Sequence, residues 1–177
     1  FELINDDVLK VDLNKLISDN IGSNIKYAKI VANLPYYITT PIIMKLLEEK
    51  LAIESITVMI QKEVADRLTE KPGGKETGAI TYSVYYYAEA EEVLKVEPSS
   101  FIPEPAVDSE VINLKIRKNN IVNVEDEKLM FKIIKYAFMQ RRKTLVNALE
   151  KSKIFNSKKD ILEMLKSLQV DGRIRGE

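Results

Sequence analysis

The chain has 177 residues, of which 45% are hydrophobic and 31% charged, as expected of a soluble globular protein with a substantial core. It contains no cysteine and no histidine, which excludes disulfides, thiolate chemistry, histidine-based triads and histidine-ligated metals. Residues 1–114 carry 11 Lys and Arg against 19 Asp and Glu, whereas residues 115–177 carry 16 against 8, so the zero net charge conceals a basic second part. That asymmetry favours a polyanionic partner, with a solvated basic surface as the alternative.

The first elements follow the apolar pattern of the chain. Residues 1–4 predict a short strand, the acidic stretch ending at Asp7 predicts a turn, and residues 8–17 predict a loop with a short helix. Residues 18–26 are polar and predict a loop, and residues 27–32 form a run rich in β-branched residues that predicts a buried strand. We find neither a membrane-spanning run nor a signal peptide, and we expect a cytoplasmic protein without a membrane partner.

The chain is organised around Asn33, Leu34, Pro35 and Tyr36, where this strand stops at a turn and a helix pattern follows over residues 41–50. Ligands of open α/β sheets lie beyond the carboxyl ends of the strands. The turn offers a side-chain amide, a backbone carbonyl before proline and an aromatic face, which suit a planar base with an exocyclic amine. The alternative is an ordinary turn after a strand.

The middle of the chain continues the alternation of strands and helices. Four tyrosines at helical spacing between residues 82 and 87 are predicted to belong to the core. Three prolines bracket Phe101, which predicts a rigid loop with an aromatic residue at its tip; the alternative is a phenylalanine that fills the core. Strands are predicted over residues 56–60, 91–97 and 109–117, helices over residues 61–68 and 77–90, and a flexible loop over residues 71–75.

A polar linker over residues 118–126 predicts a domain boundary, with domains at residues 1–118 and 119–177. Three helix patterns follow, at about 126–139, 141–151 and 158–168. Arg141, Arg142 and Lys143 fall at the predicted start of the second helix, where cations oppose the helix dipole. We interpret this cluster as a contact with RNA phosphates; the alternative is an ordinary solvated helix start.

Four stretches together identify a family resemblance. Asn33-Leu34-Pro35-Tyr36 resembles the (N/D/S)-x-P-(Y/F) motif of S-adenosylmethionine-dependent amino-methyltransferases. With residues 61–68, 101–109 and 138–145 in this order, nearly the whole chain resembles the KsgA family of small-subunit (16S) rRNA adenine N6,N6-dimethyltransferases. The resemblance implies an α/β fold: a partial Rossmann-like methyltransferase sheet followed by a small all-α RNA-binding C-terminal domain.

The resemblance also implies roles for individual residues. The Asn33 side chain and the Leu34 carbonyl would accept hydrogen bonds from the adenine amine, Pro35 would fix the turn, and Tyr36 would stack on the base. Phe101 would cover the other face of the base. Asp7 would contact the adenine of S-adenosyl-L-methionine, with Asn33 beside it, and no metal is expected. The alternative for Asp7 is an ordinary turn or helix-capping residue. The expected partner is small-subunit rRNA in a pre-30S particle, bound by a monomer.

The sequence departs from the family at two cofactor elements. It has no G-x-G loop to grip the methionine end of the cofactor, and the acidic ribose-binding residue after the family's second strand is missing. We therefore expect a fragment lacking the N-terminal cofactor-binding segment and short at its end, inactive alone and a weak cofactor binder. The alternatives are a non-catalytic RNA-binding ribosome-assembly factor and an Erm-type large-subunit rRNA dimethyltransferase; Leu34 and the stretch 140–144 favour the small-subunit group.

Overall fold

A computed structural model describes residues 1–20 and 27–176. Over these residues the chain forms a four-stranded sheet with α-helices before, between and after the strands. The strands are β1 (Ala28–Asn33), β2 (Ile53–Gln61), β3 (Ala88–Val96) and β4 (Ser109–Ile116). The α-helices are α1 (Leu13–Asn20), α2 (Thr39–Glu48), α3 (Lys62–Thr69), α4 (Ala79–Tyr87), α5 (Glu127–Met139), α6 (Leu145–Glu150) and α7 (Lys158–Ser167). Single turns of 3₁₀-helix cover Tyr36–Ile38 and Pro98–Ser100.

The sheet has the order β1-β2-β4-β3. Strands β1 and β2 are parallel, with Asn33 opposite Met59, whereas β4 runs antiparallel to both of its neighbours. Ser109, the first residue of β4, pairs with Gln61 on one side and with Val96 on the other. The carboxyl ends of β1, β2 and β3 and the beginning of β4 therefore lie at the same edge of the sheet.

The main hydrophobic core lies on one face of this sheet. Alternate residues of β2 are fully buried, including Ile56, Val58 and Ile60, as the period of two in a half-covered strand requires. Helices α2, α3 and α4 supply the opposing apolar side chains, among them Ile43 and Leu68. The predicted α/β architecture is confirmed in these elements.

Three predicted elements need correction. Residues 1–4 form no strand, because they have no pairing partner among the described residues and isolated strands are not stable; Phe1 and Leu3 are exposed. The loop predicted at 18–26 begins as the last turn of α1, and residues 21–26 lie outside the described part of the chain. The helix predicted over 77–90 ends at Tyr87, where the chain passes directly into β3.

Two of the four tyrosines of α4 belong to the core, whereas Tyr82 is half-buried and Tyr85 is exposed. Tyr86 and Tyr87 are buried and pack on each other and on Phe131 of α5, with ring centroids 4.9–5.4 Å apart. Tyr82 packs against Phe138. Tyr85 instead is exposed, and the Arg117 guanidinium lies 5.8 Å from the centre of its ring.

The C-terminal helices have a second hydrophobic cluster of their own, formed by Val146, Leu149, Ile161 and Leu165. Asp126, Thr144 and Ser157 cap α5, α6 and α7 with side-chain oxygens, which explains where these helices begin. No helix in the described ranges has the length and apolar character needed to cross a membrane.

Glu127 connects α5 to α4 and to the turn after α2. Its carboxylate, in the first turn of α5, accepts hydrogen bonds from the hydroxyls of Tyr86 (3.1 Å) and Tyr87 (3.4 Å) and pairs with Lys50 at 3.0 Å. The Asn120 side-chain amide donates to the same carboxylate at 3.2 Å. The hydrogen bond from Lys50 is the largest cause of a lowered pKa for Glu127, and burial raises the pKa of Tyr87.

Candidate functional site

The turn at residues 33–36 lies at the sheet edge where β1 and β2 end. The Leu34 N–H donates to the Met59 carbonyl at 3.3 Å, so the turn is still anchored to β2, and the Leu34 side chain is buried. Pro35 has extended backbone angles (φ −60°, ψ 134°), and its carbonyl accepts hydrogen bonds from the Ile38 N–H and the Thr39 hydroxyl, both at 3.1 Å. These bonds fix the path of the backbone into α2.

This fixed turn leaves two hydrogen-bond acceptors available. The Asn33 side chain is exposed and has no hydrogen-bond partner among the described residues. The Leu34 carbonyl likewise accepts no hydrogen bond from residues 1–20 or 27–176. An amide oxygen and a neighbouring peptide oxygen are both acceptors, so the pair is suited to a ligand that carries an N–H₂ group.

Tyr36 is held in place by a contact that crosses the edge of the sheet. Its hydroxyl lies 2.7 Å from the Ser109 Oγ, and Ser109 is buried at the beginning of β4. The ring itself is half-buried. The sequence predicted an aromatic face here but missed Ser109, because a contact over 73 residues leaves no local signal in the sequence.

The loop between β3 and β4 borders the same edge. The Lys62 N–H at the start of α3 donates to the Asp108 carbonyl at 3.0 Å, which ties the end of the loop to the end of β2. Phe101 is half-buried, and its N–H donates to the Pro98 carbonyl at 3.1 Å. The next residue, Ile102, is a fully exposed hydrophobic side chain, and the role of Phe101 stays a prediction.

Asp7 is the exposed carboxylate of a turn. One of its oxygens accepts a hydrogen bond from the Leu9 N–H at 3.0 Å, and the other lies 3.6 Å from the Lys10 ammonium. This is the geometry of an Asx turn. It leaves lone pairs on the carboxylate accessible, and contact with a cofactor adenine stays a prediction.

The basic cluster does not lie in a helix, which corrects the sequence prediction. Helix α5 ends at Met139 and α6 begins at Leu145, with Thr144 as its N-cap, so Arg141, Arg142 and Lys143 form the turn between them. The apolar periodicity placed the helix start too early because it ignored this threonine. Arg141 follows the carboxyl end of α5, where the helix dipole favours a cation, whereas Lys143 directly precedes the N-cap of α6, where the dipole opposes one.

The three cations differ in their surroundings. The Arg141 guanidinium reaches the Thr77 carbonyl at 3.5 Å, next to the start of α4, and so connects the helical part with the sheet part. All three residues are exposed, and the Lys143 N–H closes the turn onto the Gln140 carbonyl at 2.8 Å. Contact of this turn with an external partner stays a prediction.

Comparison with known proteins decides the family. Residues 1–172 match the model described as "Ribosomal RNA adenine dimethylase". The chain belongs to the ribosomal RNA adenine dimethylase family. It is 51% identical over 177 residues to "Ribosomal RNA small subunit methyltransferase A" of Alkaliphilus oremlandii and 47% identical over 176 residues to the protein of that name in Clostridioides difficile, covering 99% of this chain each time. It spans 61% and 60% of their lengths.

Two solved structures share this fold. A dimethyladenosine transferase from Plasmodium falciparum is 25% identical, with a TM-score of 0.68 over 88% of this chain and 63% of that one. The 23S rRNA methyltransferase ErmE is 22% identical, with a TM-score of 0.61 over 99% of this chain and 65% of that one, which supports the fold alone. The predicted methyltransferase fold and the predicted family are confirmed.

Proposed function

We propose that the protein transfers two methyl groups from S-adenosyl-L-methionine to N6 of adenines in small-subunit rRNA. The observation that carries the proposal is the Asn33 side chain, exposed and without a partner among the described residues, beside the Leu34 carbonyl at the carboxyl end of β1. A family whose model is described as an adenine dimethylase supplies the reaction class. The relatives named small subunit methyltransferase A favour small-subunit rRNA over the Erm-type alternative and methyl transfer over a purely binding role.

For this reaction the chain must position a weak nucleophile. The N6 lone pair of adenine is delocalised into the ring, so the amine must be held with its lone pair directed at the methyl carbon. In the first transfer the Asn33 Oδ1 and the Leu34 carbonyl would accept the two N–H groups and favour a pyramidal nitrogen. In the second transfer a single N–H remains, and one of these acceptors would hold it. In each transfer the nitrogen–carbon bond forms as the carbon–sulfur bond breaks, and the N6 proton leaves to water. Orientation and preorganised dipoles then lower the barrier without a strong base.

Stacking would hold the base in the plane that these acceptors require. Tyr36, fixed by Ser109, would support one face of the adenine, and Phe101, on the loop at the same edge, would cover the other. A stacked base contributes about 1–3 kcal/mol. The adenine must be single-stranded or flipped out of a helix to reach this position.

Two residues of this chain fit a role in holding the cofactor. Asp7 is an exposed carboxylate with lone pairs left after its turn hydrogen bond, which suits the exocyclic amine of the cofactor's adenine. Asn33 would lie between the cofactor and the target base. S-adenosyl-L-methionine, when bound, supplies the electrophilic methyl group.

The basic second part would bind the RNA. We propose a catalytic unit over residues 1–118 and an RNA-binding helical unit over residues 119–177, with Arg142 and Lys143 on rRNA phosphates. The net charge of +8 over residues 115–177, from 16 cations and 8 acids, supports this assignment. The partner would be rRNA in a pre-30S particle in the cytoplasm, bound by a monomer.

The test compares small-subunit and large-subunit rRNA as substrates of the full-length protein. Purified small-subunit and large-subunit RNA or precursor particles are incubated with S-adenosyl-L-methionine that carries a labelled methyl group, and the nucleosides are separated. We expect label in N6,N6-dimethyladenosine from small-subunit RNA only. Label confined to large-subunit RNA, or absent from both, would contradict the proposal.

A further inference from the structure

Three acidic side chains from separate elements converge beside α3. Asp66 lies on α3, Glu92 on β3 and Glu110 on β4, and one carboxylate oxygen of each lies within 4.8 Å of the other two. Their burial is graded, since Glu110 is buried, Asp66 half-buried and Glu92 exposed. The cluster therefore has a closed inner end and an end open to solvent.

Glu110 is the residue that needs an explanation. Its side chain is 1% exposed, and both of its oxygens are buried without a hydrogen-bond partner among the described residues. Buried polar atoms are nearly always hydrogen-bonded, and a buried carboxylate without a donor is strongly disfavoured. The carboxylate is directed into a cluster of two further acids, which increases the cost.

The cations nearby do not satisfy Glu110. The Lys62 ammonium donates to Asp66 at 2.5 Å and makes no hydrogen bond to Glu110. Lys95 of β3 stands opposite Glu110 in the strand register, but it is exposed and likewise leaves the Glu110 oxygens without a donor. On the other side, β2 presents the apolar Ile60. Both Glu110 oxygens thus remain available for a ligand.

We propose that Asp66, Glu92 and Glu110 bind a hard divalent cation of the size of Ca²⁺. The donor set consists of carboxylate oxygens alone, which is what Ca²⁺ and Mg²⁺ prefer. The three oxygens lie within 4.8 Å of one another, which is compatible with a shared cation. Mg²⁺ demands near-octahedral geometry and gives up its water reluctantly, whereas Ca²⁺ accepts irregular sets of oxygen ligands, so three acids from separate elements suit Ca²⁺ better.

The open side of the cluster completes the coordination. Ca²⁺ takes about 6–8 oxygen ligands, and the exposed position of Glu92 allows water to supply those that the three acids do not. The bound ion would tie α3 to the β3–β4 hairpin. Glu110 directly follows Ser109, the partner of Tyr36, so the ion would also stiffen the sheet edge that carries the candidate site.

The test is a calorimetric titration of the metal-stripped 177-residue chain with CaCl₂ and, separately, with MgCl₂. We expect one Ca²⁺ per chain with a dissociation constant of about 1 mM or lower, weaker binding of Mg²⁺, and a rise in Tm with Ca²⁺. Glu92→Gln, at an exposed position that does not endanger folding, should weaken Ca²⁺ binding at least tenfold. Glu163→Gln, an exposed acid on α7, is the matched control and should bind Ca²⁺ as the unchanged chain does.

Glu110→Gln adds an independent readout. It should abolish Ca²⁺ binding and raise the Tm of the metal-free chain, because it replaces a buried carboxyl group that has no hydrogen-bond donor with an amide that can itself donate. If Glu110→Gln fails to fold, the comparison of Ca²⁺ affinity between Glu92→Gln and Glu163→Gln still tests the proposal. No saturable binding up to about 10 mM Ca²⁺, or equal affinity in the Glu92→Gln and Glu163→Gln variants, would overturn the proposal. If no Ca²⁺ binds, a proton shared between Glu92 and Glu110 is the remaining explanation of the buried Glu110 carboxyl group.

Discussion

The Tyr36 hydroxyl lies 2.7 Å from the Ser109 Oγ, and this single contact joins the turn after β1 to the first residue of β4. The two strands are not neighbours in the sheet, because β2 lies between them. The hydrogen bond therefore fixes the aromatic ring relative to the sheet edge rather than to its own turn alone. It also places Tyr36 beside the loop that carries Phe101.

The Tyr36–Ser109 contact should appear as a coupling energy. Tyr36→Phe and Ser109→Ala should each lower the free energy of unfolding by about 1 kcal/mol, because each leaves a polar partner without its bond. The double variant should lose about 0.5–1.5 kcal/mol less than the sum, since the bond is lost only once. Urea denaturation of the four proteins measures this cycle, and strictly additive losses would mean that the contact contributes nothing.

The elements around β1 could be predicted from the sequence because their signals are local. A β-branched run, a proline in the turn and an apolar helix face determine β1, the turn at 33–36 and α2. Other boundaries depend on tertiary pairing. Ala88 and Ala90 resemble a continuation of the tyrosine-rich helix, yet they pair with Ile116 and Leu114 of β4 and so belong to β3. Residues 1–4 have the strand pattern without a partner.

The exposed cations of the turn before α6 should control RNA affinity. Arg142→Gln with Lys143→Gln in the full-length protein should weaken binding to unrelated RNA sequences to a similar extent. It should also flatten the log–log salt dependence by about 0.7–0.9 units for each lost phosphate contact. Filter binding over a range of salt concentrations measures both effects. Arg141 is kept because its guanidinium contacts Thr77 and its loss would also affect folding.

The control for that experiment makes the same change of charge elsewhere. Lys71→Gln with Lys75→Gln removes two exposed cations from the loop before α4 and should leave RNA affinity and salt slope nearly unchanged. Thermal stability should stay the same in both double variants. If RNA binding by the Arg142 and Lys143 double variant depends on salt as steeply as that of the unchanged protein, the turn does not contact phosphates.

Glu127 should make the stability of the chain fall in acid. Its pKa is lowered from 4.5, first by the hydrogen bond from Lys50, so its contribution is fully present above 4.5 and is lost as the pH falls through the folded-state pKa. Lys50 is largely exposed and water screens the pair, so we expect Glu127→Gln to lower the free energy of unfolding at pH 7 by about 1 kcal/mol. As the pH falls below 4.5, the difference from the unchanged chain should shrink progressively.

Thermal unfolding between pH 3 and pH 7 measures this effect. Glu125→Gln, an exposed acid two residues earlier, provides the control and should follow the unchanged chain across the whole range. A loss in Glu127→Gln that is the same at every pH would show that its packing, and not its charge, is what stabilises the junction of α5 with α4 and the turn after α2.

The candidate site was predictable only in its local part. Asn33, Leu34, Pro35 and Tyr36 are adjacent in the chain, and the strand end identified them. Ser109 and the cluster of Asp66, Glu92 and Glu110 come together only when β4 pairs with β2 and β3, and no spacing in the sequence indicates this. The basic turn was found by its charge, but its backbone was wrongly assigned because the Thr144 cap was overlooked.

The most direct test of the proposed function compares the products formed by two variants of the full-length protein. Asn33→Ala removes the amide assigned to the reacting amine, and the control Asn156→Ala removes an exposed amide in the helical part. Small-subunit rRNA is incubated with each variant and S-adenosyl-L-methionine, digested, and analysed by mass spectrometry for N6-methylated adenosines, while filter binding reports RNA affinity. We expect Asn33→Ala to lose at least about 100-fold in methyl transfer, equivalent to the loss of one preorganised polar contact, while RNA affinity stays the same. Asn156→Ala should form N6,N6-dimethyladenosine at the unchanged rate. Near-normal formation of N6,N6-dimethyladenosine by Asn33→Ala would contradict the assignment of this amide to the reacting amine.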